Sequence, residues 1–318
     1  MKKILTINLV ILLILLVIIE CFAYFKLYNR YKNDIKIYNE IIGKKAIIPM
    51  GYKKVTTPNE NDLLSNMRPI EYRDVNKRPI ILFGCSYTEG FGLEEDETFS
   101  KKLANYTNRT VINRGKSGTG IPFLYYQLSN EKVIKELPKN SEFIIYTLIP
   151  DHFPRLFRYR NFVLTGDHTL RYKIENEQLV IDKPIFKIFH SLFSVILLEE
   201  YLTEKKDIEE NETNNPLFNK LLDESYNLIK KNFKDSKFVI LYYKSPLDKD
   251  GFCDKKVYDY AEKNKEIILI DISKEIPNIQ DTQELWLVDN EHPSTKAWDL
   301  IVPILANKLN IDSTHHWN

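Results

Sequence analysis

Ser86 stands in the run Gly84-Cys85-Ser86-Tyr87-Thr88-Glu89-Gly90, directly after the apolar residues Ile80-Ile81-Leu82-Phe83. A serine where a strand turns into a helix carries its hydroxyl at the carboxyl edge of a parallel sheet, where α/β proteins place their sites. Its own N–H can point toward a developing oxyanion, and the helix terminus adds positive potential. Near the other end of the chain lies Asp289-Asn290-Glu291-His292-Pro293. A spacing of three lets the Asp289 carboxylate sit against the His292 imidazole, fix its tautomer and stabilise the imidazolium, while His292 deprotonates Ser86. Pro293 ends that loop and suits the first turn of a helix beginning at Ser294. By itself the serine run also reads as a ligand-binding turn without a nucleophile. The Asp–His pair is what points to acyl transfer through an ester on Ser86.

These residues need a frame that brings the two ends of the chain together. Short apolar runs rich in β-branched residues occur at 79–83, 110–112, 143–149, 237–243 and 266–270. Separated by helical stretches, they imply βα units and a parallel sheet. Residues 98–106 and 122–137 read as connecting helices, and 294–309 as a closing helix with Ser294 or Thr295 at its start. An insertion is expected at about 153–235. Within it, Phe162–Val163 and 179–181 are candidate edges of a small hairpin, 186–202 an apolar core or lid helix, and 205–215 a polar loop. Asp271 reads as a helix cap or loop residue.

At the N-terminus, Lys2 and Lys3 precede residues 4–19, apolar apart from Thr6 and Asn8, and the apolar character resumes after Glu20 through Phe25. That is about the length needed to cross a bilayer, roughly 20 residues. No small-residue cleavage site follows, so residues 1–25 read as an uncleaved signal anchor. Lys26, Arg30, Lys32 and Lys36 lie beyond the span, so basic residues flank it on both sides. The short basic head before an apolar run favours a catalytic domain outside the cytoplasm. Residues 26–76, with turn signals near Gly51, Pro58 and Pro69, form a stalk and lead-in. Residues 77–310 form the catalytic domain and 311–318 a tail.

The blocks described above carry a resemblance to a known family. Gly84-Cys85-Ser86-Tyr87-Thr88 resembles the first block of SGNH/GDSL-type serine hydrolases, with Cys85 where aspartate is commonest, and Asp289 to Pro293 resembles the last. Asn113-Arg114-Gly115-Lys116-Ser117-Gly118 is similar to the second block, whose glycine, here Gly115, would donate an N–H to the oxyanion beside that of Ser86. The resemblance spans 79–309 apart from the insertion. It implies a flavodoxin-like three-layer α/β/α sandwich around a parallel sheet, ester hydrolysis or acyl transfer, and no metal or organic cofactor. The third block departs: the family's oxyanion asparagine is missing from Pro150-Asp151-His152-Phe153-Pro154-Arg155. Either His152 donates in its place, or Arg155 reaches the site, or Asp151 and His152 simply brace this loop.

Composition narrows the function classes. The 318 residues carry 45 basic and 44 acidic side chains, a net charge of +1 that supplies no basic excess for nucleic acid. Cys21, Cys85 and Cys253 are scattered without ligand spacing, so neither a zinc site nor a disulfide framework is expected. His168, His190, His315 and His316 have no carboxylate or cysteine pattern beside them and read as surface or tail residues. The readings that remain are a membrane-tethered esterase acting on a small ester or acylated glycan, an O-acyltransferase acting on a cell-envelope glycan, and a non-catalytic glycan-binding protein that kept the fold.

Overall fold

The computed structural model describes residues 2–42, 68, 70–156, 170–181, 216–246 and 252–313. The expected strand edge at Phe162–Val163, the stretches 186–202 and 205–215, most of the stalk, and His168, His190, His315 and His316 lie outside the described residues. The chain divides into two compact units. One comprises Met1–Pro58, Phe157–His168 and Asp182–Asn214; the other comprises Asn59–Leu156, Thr169–Ile181 and Asn215–Asn318.

Of the first unit, the described part is helix α1 (Lys2–Ile42). Its segment Val10–Asn29 has a mean hydropathy of 2.6 and is long and apolar enough to cross a membrane. Val10 to Ile19, Phe22 and Phe25 are all exposed, an arrangement that water would penalise heavily. The helix continues well past Phe25 into the charged segment expected as stalk. No glycine or proline occurs between Lys26 and Ile42, and Gly43 follows directly.

The second unit is built on a five-stranded sheet. Its strands are β1 (Ile80–Gly84), β2 (Val111–Gly115), β3 (Phe143–Leu148), β6 (Lys237–Tyr242) and β7 (Ile268–Asp271), in the order β2-β1-β3-β6-β7. All four pairings are parallel. Every residue of β1, β2 and β3 is buried, as in a sheet covered on both faces, and β1 reads as a continuous apolar run. The five expected strands are the five observed, and the order is that of the flavodoxin-like doubly wound fold. Its switch point, where the chain changes direction across the sheet, lies between β1 and β3.

Helices connect the strands. Ser86–Glu89 is α2. The helix α3 (Phe99–Thr107) starts at Thr98, whose hydroxyl accepts the Lys101 N–H. The expected helix over 122–137 is two, α4 (Ile121–Ser129) and α5 (Glu131–Glu136). Asn130 makes the break, because its side chain caps the second helix by accepting from Lys132 and Val133. The helix α6 (Pro216–Asn232) falls inside the span expected as insertion, yet it packs on α4 and leads into β6 as a crossover helix. Strands β4 (Tyr172–Glu175) and β5 (Gln178–Ile181) form an antiparallel hairpin. Asn176 and Glu177, both at positive φ, make its two-residue turn. The stretch 179–181 is thus a hairpin edge as expected, paired with 172–175.

Three helices complete the unit: α7 (Phe252–Lys263), α8 (Ile272–Glu275) and α9 (Thr295–Lys308). Asp271 caps α8 by accepting the Ser273 N–H. On one face of the sheet the core runs from Ile80, Leu82 and Phe143 through Val239 and Leu241 to Trp298 and Ile301 of α9. Trp298 stacks on Phe99 with ring centroids 4.5 Å apart. That packing ties the C-terminal helix, and the His292 loop before it, to the first βα unit.

Candidate active site

Ser86 is the first residue of α2, a single turn placed directly after β1. Close approach shapes this turn. A Cβ on Gly84 would lie 2.1 Å from Thr88 Oγ1. Gly90 ends the helix in the left-handed region (φ 84°), from which its N–H reaches the Ser86 carbonyl at 2.9 Å. Ser86 is only 5% exposed. As the first helical residue it has no helical acceptor for its N–H, which leaves that donor for a substrate oxygen.

The structure brings Ser86, His292 and Asp289 together. His292 Nε2 lies 2.8 Å from Ser86 Oγ, and Nδ1 lies 2.5 Å from Asp289 Oδ2. With Nδ1–H donating to the carboxylate, Nε2 is the acceptor facing the serine hydroxyl. The second Asp289 oxygen accepts the N–H groups of Glu291 and His292, each at 2.9 Å. The loop is further closed by Leu287 N–H to the His292 carbonyl (2.8 Å) and Ser294 N–H to the Leu285 carbonyl (2.9 Å). Asn290 adopts φ 53° at its tip. The Tyr87 hydroxyl donates to the Glu291 carbonyl, so α2 and the histidine loop are pinned to each other one residue from each reacting group. Phe91, half-buried, lies against the imidazole with ring centroids 4.7 Å apart.

Charge in the site follows burial and pairing. Burial pushes the Asp289 carboxyl up, but the hydrogen bond and charge of His292, with the two backbone donors, outweigh it and hold the group below its ordinary value. Cys85 is fully buried, and burial pushes its thiol up against the opposing pull of Arg155. A neutral, sealed thiol leaves the nucleophile's part to Ser86.

Two expected oxyanion donors are placed otherwise. The Gly115 N–H is taken by Asn113 Oδ1 at 2.9 Å. The absent side chain of Gly115 serves packing: a Cβ there would meet Glu89 N at 2.5 Å and Thr88 Cβ at 2.6 Å. His152 is completely buried, its Nδ1 2.8 Å from the Tyr146 hydroxyl and its Nε2 buried without a hydrogen-bond partner. Burial, with Arg155 nearby, holds it well below the ordinary histidine value, and it stays neutral. The structure thus places His152 inside the turn after β3, against Tyr146 and beside Gly120.

Several residues of the site were not singled out by sequence reasoning. Asn113 Nδ2 donates to the Thr88 carbonyl at 2.6 Å and to Ser100 Oγ at 3.0 Å, fastening α2 to β2. Its signal was an amide inside a strand, where burial demands partners. Glu89 Oε2 accepts the Ser117 N–H at 2.5 Å, and Arg68 donates to the carbonyls of Glu89, Gly90 and Leu93. Nothing local in the sequence marks these long-range partners. Among the described residues no group of three or more histidine, cysteine or acidic side chains could hold a metal ion.

A doubly wound parallel sheet with a Ser–His–Asp relay at its carboxyl edge is the arrangement that the resemblance to SGNH/GDSL hydrolases implies. No family model matches the chain, and no curated protein matches it. Solved structures do. The chain is similar to a lipolytic protein of the G-D-S-L family from Veillonella parvula at 14% identity and TM-score 0.44, over 73% of this chain and 98% of that one. It is similar to a lipase from a goat rumen metagenome at 16% identity and TM-score 0.43, over 73% and 97%. An acetyl-xylooligosaccharide esterase from Geobacillus Stearmophilus, in mutant form, matches at 13% identity and TM-score 0.41, over 76% and 95%. At such identities the likeness decides nothing about activity, which rests on the geometry of the site.

Proposed function

We propose that this chain is a serine esterase of SGNH type, held at a membrane by α1, which removes short acyl groups through an acyl-Ser86 intermediate. The observation that carries the reading is the continuous relay from Ser86 Oγ through both nitrogens of His292 to Asp289. Ser86 Oγ attacks the ester carbonyl as His292 Nε2 takes its proton. The Ser86 N–H faces the oxyanion of the tetrahedral intermediate. Collapse returns the proton from His292 to the leaving alcohol and leaves the acyl group on Ser86. Water, deprotonated by His292, then attacks the ester, and as the acid leaves His292 returns the proton to Ser86 Oγ. The steps balance with water alone.

Tethering supports an acylated glycan of the cell envelope as substrate, with the catalytic unit on the extracytoplasmic side. The test uses the full chain in detergent with a fluorophosphonate probe and with acetylated xylan as substrate. We expect stoichiometric labelling at Ser86 and release of acetate, both abolished in Ser86→Ala and strongly reduced in His292→Ala. Acetyl recovered on an added sugar acceptor instead of as acetate would make the protein an O-acyltransferase through the same intermediate. A folded wild type that never labels would overturn the nucleophile and favour a glycan-binding role.

A further inference from the structure

The loop after β2, residues 116–120, is gripped from two sides. From α2, Glu89 Oε2 accepts the Ser117 N–H at 2.5 Å. From the turn after β3, Arg155 Nη1 donates to the Thr119 carbonyl at 2.6 Å. The same guanidinium is held by Asp151, whose Oδ2 lies 2.8 Å from Nε and 2.5 Å from Nη2. The Arg155 side chain is 9% exposed. The two loops are in contact, since a Cβ on Gly120 would lie 3.6 Å from Arg155 Cβ and from the His152 ring. Within the gripped loop, Thr119 Oγ1 donates to the Lys116 carbonyl at 2.6 Å, and Lys116 N–H donates to the Gly84 carbonyl at 3.0 Å, next to the nucleophile turn.

A buried guanidinium is costly unless its donors are paired, and a single carboxylate on its own turn would satisfy only part of it. Here the third nitrogen, Nη1, reaches across the switch point to a backbone carbonyl. That ties the turn after β3 to the loop after β2, on either side of Ser86. The charge is felt beside the nucleophile: Arg155 opposes the upward push that burial exerts on the Cys85 thiol, while Asp151 adds to that push.

We propose that Arg155, braced by Asp151, is the positioning residue that sets the 116–120 loop against the Ser86 turn and holds the oxyanion-facing backbone in place. The inference rests on the reading of Ser86 as an acyl-transfer nucleophile.

The test compares wild type, Arg155→Met, Arg155→Lys and Asp151→Asn as full chains in detergent, with p-nitrophenyl acetate as substrate. Phenylboronic acid, which forms a tetrahedral adduct on a serine nucleophile, serves as inhibitor. For Arg155→Met we expect kcat to fall about 10- to 100-fold with KM within about threefold, the mark of lost transition-state positioning. The boronate inhibition constant should rise by the factor by which kcat/KM falls. Arg155→Lys keeps the charge but cannot span both acceptors, so it should lose kcat nearly as far. Asp151→Asn keeps an acceptor in the same shape and should show a smaller loss of the same kind. It carries the test if Arg155→Met does not fold. Wild-type kcat in a folded variant, a loss confined to KM, or unchanged boronate affinity overturns the role of Arg155. Wild type that takes up no fluorophosphonate at Ser86 removes the acyl-transfer reading and this role with it. Labelled, active wild type with equally active variants removes only the role of Arg155.

Discussion

Asp289 uses both of its oxygens, Oδ1 for two backbone N–H groups and Oδ2 for His292 Nδ1. This division makes orientation and tautomer one property, because turning the carboxylate away from the imidazole would also break the loop. The neighbouring Glu291 is placed less comfortably. Half-buried beside Asp289 and Asp151, it has its carboxyl pushed up, first by burial and then by those two carboxylates, against the pull of His292 and Arg155. A carboxyl whose folded pKa is raised binds its proton more tightly in the folded state. Stability is therefore lost as pH rises from the ordinary glutamate value, about 4.3, through the raised folded value, and the loss persists above it. Glu291→Gln should accordingly match wild type near pH 4 and exceed it in thermal midpoint at neutral pH. Melting curves across that range check the sign, and a Gln variant less stable at pH 7 than at pH 4 relative to wild type would contradict it.

At the scale of elements, the site depends on how closely α2 lies on β2. Gly115 permits the approach, and Asn113 Nδ2 binds the two by donating to the Thr88 carbonyl. An added methyl at position 115 meets backbone and a buried threonine, neither of which can swing away. Gly115→Ala should lose about 1–3 kcal/mol, the usual cost of overpacking. At Gly120 the nearest atoms to an added Cβ are at ordinary contact, 3.6 Å, and Gly120→Ala should lose less. Denaturant midpoints of the two variants, read side by side, decide whether contact distance is what selects glycine at 115. The C-terminal helix does comparable work from the far end of the chain. Pinned by the Trp298–Phe99 stack, it brings the His292 loop to the first βα unit.

For the whole molecule, the reading is a catalytic unit with a membrane helix at its N-terminus. The exposed apolar side chains of α1 from Val10 to Phe25, on a helix long enough to cross a membrane, are what supports the proposed tether. The full chain should therefore stay with membranes through an alkaline carbonate wash, and deletion of residues 2–29 should release it. Wild-type protein recovered in the wash supernatant would contradict the tether. Protease added to intact cells, followed by detection of the catalytic unit, reports the side on which it stands.

Much of this architecture is legible in the sequence. The five strands follow from continuous apolar, β-branched runs, which are what a sheet buried on both faces requires. The pairing of Asp289 with His292 follows from a spacing of three in one loop, a local relation. Ser86 follows from its place between an apolar run and a glycine-bounded turn. What only the tertiary structure decided are contacts between residues distant in sequence. Asn113 reaches the Thr88 carbonyl and Ser100 because the end of β2 lies against α2, and His152 is buried beside Gly120 of the loop after β2. Arg155 meets Thr119 because the switch point sets their loops side by side. Local pattern specifies which elements form and which residues share a loop. Which hydrogen-bond donors remain for a substrate depends on every neighbour the fold supplies, and that is settled only when the chain has packed.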